Sequence, residues 1–104
     1  MSLAARVEGC EPTVVTLVGE LDLETGTELR NRLARIDGDI EVDCSSLAFI
    51  DAIGLGVFVS AKKRCERRGW KFVLVEPSPL LLRLLEITGL DASLHVRSAR
   101  VPLE

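Results

Sequence analysis

The segment Asp51-Ala52-Ile53-Gly54-Leu55-Gly56 directly follows an apolar stretch, Ile40 to Ile50, and it constrains how this part of the chain can fold. An aspartate before an apolar, glycine-containing run is typical of a helix N-cap, because the carboxylate accepts hydrogen bonds from the unpaired N–H groups of the first turn. The small residues after it leave little side-chain bulk at the start of the helix. We therefore predict a recognition loop that leads into a helix N-terminus, a place that suits a docked partner or a phosphate.

The helix that begins at Asp51 is predicted to extend to about Arg68, and Gly69 ends it. Its apolar face is a row of residues spaced four apart: Ile53, Val57, Ala61 and Cys65. Lysines and arginines crowd its last turns, where positive charge interacts favourably with the negative end of the helix dipole. The sequence favours a solvated helix end over a docking patch for this basic cluster, which consists of Lys62, Lys63, Arg64, Arg67 and Arg68.

Strand patterns alternate with helix patterns along the rest of the chain. Residues 5–7 and 13–18 flank a turn that contains glycine and proline, and they predict a β-hairpin. The chain is expected to leave the second strand at residues 19–22. Residues 39–43 alternate acids with apolar side chains, which predicts a half-buried strand, and the apolar run 71–75 predicts a central strand.

Two further helices are predicted from their end residues. Thr25 followed by Glu28 has the spacing of a capping box and predicts a helix that stops near residues 37–38. Ser78 with Pro79 begins another helix, which Gly89 ends. Helices between strands require crossover connections, so the sequence predicts an α/β fold: a single domain with a mixed, mostly parallel β-sheet of four to five strands and helices packed on it.

Composition excludes several classes of function. The chain has 104 residues, of which 47% are apolar, and this fits one compact domain. A net charge of -3 and only 4% aromatic residues argue against direct nucleic-acid binding. No apolar run approaches the length needed to cross a bilayer, so we expect no membrane insertion and a cytoplasmic location.

The sequence offers little for catalysis or for a metal site. Cys10, Cys44 and Cys65 are widely separated and are expected to be reduced and mostly buried. His95, the single histidine, lies in a predicted late edge strand. Asp43 and Asp51 are expected to fix the local backbone rather than to form a catalytic pair. We therefore expect no enzyme activity, no cofactor and no metal.

Four segments together resemble a known family. They are Gly19-Glu20-Leu21-Asp22, the run VDCSSLAFID at 42–51, Gly54-Leu55-Gly56, and Gly89-Leu90-Asp91. Their order and spacing resemble the STAS domain of anti-sigma factor antagonists. The resemblance covers about residues 4–98, which we expect to be the domain, and it leaves residues 99–104 as a C-terminal tail or a truncated last helix.

The resemblance implies a role in partner switching. Domains of this family bind an anti-sigma factor, often a serine protein kinase, and so release the sigma factor that the kinase held. Phosphorylation of a serine directly after the aspartate that matches Asp51 reverses the binding. Here that position is Ala52 and the next is Ile53, and neither side chain can accept a phosphate. Ser45 and Ser46, in the predicted loop just before, are weaker alternative acceptors, so the resemblance implies a binder that this switch cannot turn off.

The predicted partner-binding set surrounds the start of the second helix. Ile53 either turns inward to extend the apolar row or is exposed as an anchor, and Asp22 is either at the rim of the surface or a solvated acid near a helix start. The alternative function is a cytoplasmic STAS subunit of an ABC-type lipid or anion transporter, and the oligomeric state is open. The full predicted set is Asp22, Ser45, Ser46, Asp51, Ala52, Ile53, Gly54 and Leu55.

Overall fold

A computed structural model describes residues 3–98 of the chain, and within them the strands form one mixed five-stranded sheet. The strand order is β1-β2-β3-β4-β5; β1 and β2 pair antiparallel, and every later pair is parallel. This confirms the predicted mixed, mostly parallel sheet. The elements are β1 Leu3–Glu8, β2 Thr13–Leu21, α1 Leu23–Leu33, β3 Ile40–Ile50, α2 Ala52–Arg67, β4 Phe72–Val75, α3 Pro79–Thr88, a 3-10 turn Leu90–Ala92 and β5 His95–Arg97.

The three helices share one hydrophobic core with the sheet. The side chains of Phe58 on α2 and Phe72 on β4 lie at its centre, with ring centroids 6.3 Å apart in a tilted arrangement. Burial of this kind contributes roughly 1.5–3 kcal/mol for each large apolar side chain. The buried cluster also contains Val15, Leu17, Leu21, Leu29, Leu33, Ile40, Val42, Cys44, Leu47, Ile50, Leu55, Val57, Cys65, Leu74, Leu81, Leu85 and Leu94.

Strand β3 is longer than the sequence predicts. The alternation of residues 39–43 continues as a strand to Ile50, and the prediction that Ser45 and Ser46 lie in a loop is wrong. Two register shifts against β2 explain the difference: Thr16 pairs with Asp43 but Val18 pairs with Ser46, and a second shift follows Gly19. Each shift is a β-bulge, which inserts an extra residue and breaks the alternation of buried and exposed side chains.

The first helix begins earlier than predicted. Its N-cap is Asp22, whose Oδ1 accepts hydrogen bonds from the N–H groups of Glu24 (3.0 Å) and Thr25 (3.1 Å). Thr25 returns the bond, because its Oγ1 accepts from the Asp22 N–H at 2.9 Å. The capping box therefore joins Asp22 and Thr25, not Thr25 and Glu28, and β2 continues to Leu21 where the sequence ends the strand before residue 19.

The prediction that α1 stops near residues 37–38 is also wrong: α1 ends at Leu33, because the next N–H groups, of Arg35 and Ile36, bond back three residues rather than four. The ends of α2 and α3 agree with the sequence. Ser78 accepts from the Leu81 N–H at 3.1 Å, Pro79 is the first helical residue, and Gly89 closes α3 with a left-handed backbone at φ +76°. Asp51 is the N-cap of α2, as predicted. The tail or last helix predicted at 99–104 falls beyond the residues that the structure describes.

Gly54 and Gly56 provide a matched test of packing at the start of α2. A Cβ on Gly54 would lie 2.8 Å from Leu21 Cγ and 3.0 Å from the Leu21 carbonyl oxygen, whereas a Cβ on Gly56 would meet nothing within 4 Å. We expect Gly54→Ala to lower the free energy of unfolding by about 1–3 kcal/mol through overpacking. Gly56→Ala should raise it by about 0.4–1 kcal/mol, because alanine favours the helix. Urea denaturation measures both, and equal effects would contradict this packing.

Candidate functional site

The candidate site lies where two parallel strands end and two helices begin. Leu21 ends β2 and pairs with Ile50 at the end of β3. The Asp51 N–H donates to the Leu21 carbonyl oxygen at 3.3 Å, which ties the start of α2 to the end of β2. In parallel sheets the carboxyl ends of the strands meet at one edge. The N-caps of α1 and α2, Asp22 and Asp51, are therefore brought together at this edge.

Asp22 and Asp51 both hold helix backbones. Asp51 Oδ1 accepts from the Gly54 N–H at 3.0 Å, so this carboxylate fixes the first turn of α2 as the sequence predicts. The pKa of Asp22 lies below its ordinary value of 3.8, chiefly because the Thr25 N–H bonds to the carboxylate, with further help from the Thr25 hydroxyl and the Glu24 N–H. Asp22 is thus more than a solvated acid near a helix start, because its carboxylate forms the cap.

Ala52 and Ile53, the first residues of α2, are exposed. The Ile53 side chain is 46% exposed, and its Cγ2 lies 3.7 Å from where a Cβ on Gly26 of α1 would stand. Ile53 therefore rests one edge against α1 and presents the rest to solvent. This geometry fits the exposed anchor better than the inward-turned core residue.

Gly54 and Leu55 lie on the inner side of the same turn. Leu55 is 4% exposed, and Gly54 packs against Leu21 and Ile50. Both belong to the predicted partner-binding set, and the helical repeat that turns Ala52 and Ile53 outward turns these two residues toward the core. Their packing positions the exposed start of α2.

The two serines are exposed residues in the middle of β3, the strand that leads to this helix start. The Ser45 hydroxyl donates to Asp43 Oδ1 at 2.7 Å, and the Ser45 N–H donates to the same oxygen at 2.9 Å. Asp43 thus fixes the backbone at the first bulge, which is the local role that the sequence favours for it. Ser46 is exposed and pairs across the strand with Val18.

Three exposed apolar side chains near the site were missed by sequence reasoning. Leu23 is 67% exposed at the start of α1, Val18 is 51% exposed on β2, and Phe49 is 41% exposed on β3. Leu23 lies directly after the cap Asp22, whereas Val18 and Phe49 lie beside the two bulges. Knowledge of the Asp22 cap would have placed Leu23 outside the core. For Phe49 no local pattern gives its exposure, because the second bulge decides it.

The chemical groups of the described residues give little support for catalysis. No cluster of three or more histidine, cysteine or acidic residues able to hold a metal occurs within residues 3–98. Burial, with a smaller effect from Asp43, raises the pKa of the Cys44 thiol to about 12, so this thiol stays protonated at neutral pH. Cys65 is also buried, whereas Cys10 is exposed. None of the described helices is both long enough and apolar enough to cross a membrane.

Comparison with known proteins identifies the family. A family model described as "Mlab, STAS domain" matches residues 5–97, and the chain belongs to the STAS domain family. The anti-sigma-B factor antagonist of Staphylococcus aureus (strain NCTC 8325 / PS 47) is 37% identical over 86 residues, which cover 79% of this chain and 80% of that protein. The protein of the same name from Bacillus subtilis (strain 168) is 34% identical over 79 residues, 73% of this chain and 72% of the relative.

A solved structure supports the same fold. The crystal structure of an anti-sigma factor antagonist from Mycobacterium paratuberculosis has a TM-score of 0.82 to this chain. The match covers 92% of this chain and 86% of that one at 24% sequence identity, so it shows the fold alone. The predicted resemblance to the STAS domain of anti-sigma factor antagonists is therefore confirmed.

The Asp22 cap predicts a pH-dependent stability. Because its pKa is lowered by folding, the carboxylate contributes stability that is fully present above the unfolded value of 3.8 and is lost as pH falls through the folded pKa. Asp22→Asn keeps a capping side chain that does not titrate. We expect the melting temperature of the protein minus that of Asp22→Asn to decrease between about pH 6 and about pH 3. A difference that stays constant over this range would rule out a titrating cap.

Proposed function

We propose that this protein sequesters a serine-kinase-type anti-sigma factor in a partner-switching system that regulates sigma-factor-dependent transcription. The single observation that carries the proposal is the surface at the start of α2, where Ala52 and Ile53 stand exposed beside the two capped helix ends. The curated relatives named as anti-sigma-B factor antagonists support the class of partner. In this proposal the chain is a binding protein that uses no cofactor.

The proposed docking surface has a neutral, apolar centre and a polar rim. Ile53 provides the central side chain, and Leu23 and Phe49, close in sequence to the caps Asp22 and Asp51, are also exposed. An apolar anchor near the centre of an interface contributes more than the polar contacts around it, because it is fully desolvated on binding. Asp22, Ser45, Ser46 and Asp51 form the proposed rim. Hydrogen bonds at Asp22, Ser45 and Asp51 fix the local backbone before the partner arrives.

Ala52 determines how binding at this surface is regulated in the proposed function. A phosphate at this position would add about -1.5 to -2 charges beside the Asp51 carboxylate. The helix N-terminus would favour the anion locally, but a partner that covers it would have to desolvate it next to an acid. An alanine side chain carries no group that can be phosphorylated. We propose that binding at this surface is therefore not released by phosphorylation at position 52.

Phosphorylation tests this regulatory claim directly. The protein is incubated with ATP and the kinase-type anti-sigma factors encoded in the same genome, and its intact mass is measured. We expect no added phosphate on the natural chain and one added phosphate on Ala52→Ser, which supplies a hydroxyl at the first position of α2. A stoichiometric gain on the natural chain would contradict the proposal, and mapping it to Ser45 or Ser46 would show where the acceptor had moved.

Ile53→Ser tests the anchor, with Ile87→Ser as a matched control on α3, where Ile87 is 69% exposed. Complete burial of an exposed isoleucine contributes roughly 1.5–3 kcal/mol, and Ile53 has 46% of its surface left to bury on binding. We therefore expect Ile53→Ser to weaken anti-sigma factor binding about 3- to 10-fold in isothermal titration, with little change in melting temperature. Ile87→Ser should leave affinity unchanged. A lower melting temperature with unchanged affinity would remove Ile53 from the interface.

The same titrations separate the proposal from its alternative, a cytoplasmic subunit of an ABC-type transporter. Ala52 is compatible with that role too, because a permanent subunit needs no phosphorylation switch. Binding to the nucleotide-binding component of such a transporter, without binding to any of the anti-sigma factors, would replace the proposed function. Gene neighbours provide an independent check, since a kinase or sigma factor gene supports the first role and transporter genes support the second.

A further inference from the structure

The C-terminal half of α2 and the facing part of α1 enclose a groove that the proposed function does not use. Its floor is apolar and is formed by Leu33, Val57 and Ala61; arginines 30, 64 and 67 line its rim. Along α2 the groove begins at Val57, more than one helical turn after Ala52, and extends away from it. It is therefore a second surface on the same helix.

Arg64 is held in place by the surrounding chain. Its Nη1 donates to the Ile36 carbonyl oxygen at 3.0 Å, and its Nη2 lies 3.5 Å from the Asp37 carboxylate. The guanidinium also stacks over the Trp70 ring, 5.4 Å from the ring centroid. These contacts fix the Arg64 charge on the rim of the groove. Arg64 is therefore more ordered than the solvated helix end that the sequence favours.

Arg30 and Arg67 are free to bind a partner. Both are exposed, and neither forms an ion pair with any residue of the described range 3–98. The residues that line the groove include no aspartate or glutamate, although the whole chain has a net charge of -3. The groove is therefore a local concentration of positive charge around an apolar floor on an acidic protein.

We propose that this groove binds an acidic amphipathic helix of a partner protein. From Val57 to Arg67 the floor and rim extend along α2 for about 15 Å, which matches nearly three turns of a helix. An apolar ridge on such a helix fits the floor between α1 and α2, and its carboxylates meet guanidinium groups, which recognise them in a bidentate geometry. A concave site between two helices fits a helix better than it fits a flat membrane surface.

The test uses two synthetic helical peptides of about 15 residues, identical except that one has glutamates and the other glutamines beside a leucine ridge. Titration is followed by the fluorescence of Trp70, the single tryptophan of the chain, and by calorimetry. We expect the glutamate peptide to bind at least about tenfold more tightly, with an affinity that falls as salt is raised. Equal binding of both peptides would overturn the proposal.

Variants locate the binding. The double variant Arg30→Gln/Arg67→Gln should abolish the preference for the glutamate peptide, whereas Arg83→Gln, at an exposed position of α3, should keep it. Ser60→Glu leaves all three arginines in place but adds a negative charge at the groove, and it should also weaken binding. Circular dichroism melts check that each variant folds. Full retention of the preference in the double variant would show that the groove is not the site.

The same protein and its variants distinguish two other possible ligands of the groove, a membrane surface and a second copy of this chain. Tighter binding to phosphatidylglycerol vesicles than to the glutamate peptide, lost in the double variant, would assign the groove to a membrane and overturn the proposal. Concentration-dependent dimerisation in sedimentation experiments, lost in the double variant, would assign it to a second copy of this chain and would also overturn it.

Discussion

The close contact between Gly54 and Leu21 is the constraint on which the candidate site depends. Only a residue without a side chain lets α2 begin against the end of β2, because a Cβ would meet both the Leu21 side chain and its carbonyl oxygen. The same carbonyl accepts the Asp51 N–H, and the α1 cap follows one residue after Leu21. Because Gly54 faces the core, the helical repeat places Ala52 and Ile53 on the outer side of the first turn.

Strand β3 decides which residues accompany that helix start on the surface. Cys44, Leu47 and Ile50 are buried at intervals of three rather than two, because each bulge adds one residue to the strand. The same insertions expose the pairs 45–46 and 48–49. A strand without bulges would alternate strictly and would place several of these side chains in the core. The surface at the edge of the sheet is thus a product of strand register.

What the sequence predicts correctly is set by local chemistry. Asp51, Ser78 and Gly89 each act through hydrogen bonds or a backbone conformation within a few residues, and the structure confirms all three helix ends. Both ends of α1 differ from the prediction, and its start has two competing caps within four residues. Asp22 rather than Thr25 is the N-cap because β2 continues to Leu21, and the helix begins directly after that strand. Neither the extent of β2 nor the bulges of β3 is encoded locally, since pairing between distant segments fixes both.

The groove arginines show that distant segments also determine which charged side chains lie together, and local sequence does not predict this. In sequence the cations at the end of α2 form one cluster, and the helix dipole gives all of them the same role. In the fold they separate: Lys62 pairs with Glu66, Arg64 is held by Ile36, Asp37 and Trp70, and Arg67 faces Arg30 across the floor. Arg30 comes from another helix, so no pattern within α2 could have predicted the groove.

Under the proposed function, the lack of a phosphorylation site at the start of α2 determines how partner binding can be regulated. A phosphorylatable antagonist exists in two states, and the ratio of these states controls how much anti-sigma factor it holds. With Ala52 the surface has a single state, so occupancy depends only on the concentrations of the two proteins relative to their Kd. Regulation must then act through the abundance of this chain, through the partner, or through coupling from another surface. The groove lies on the same helix as Ala52. A segment bound in the groove exerts such coupling if it changes the conformation of α2 or contacts the same anti-sigma factor.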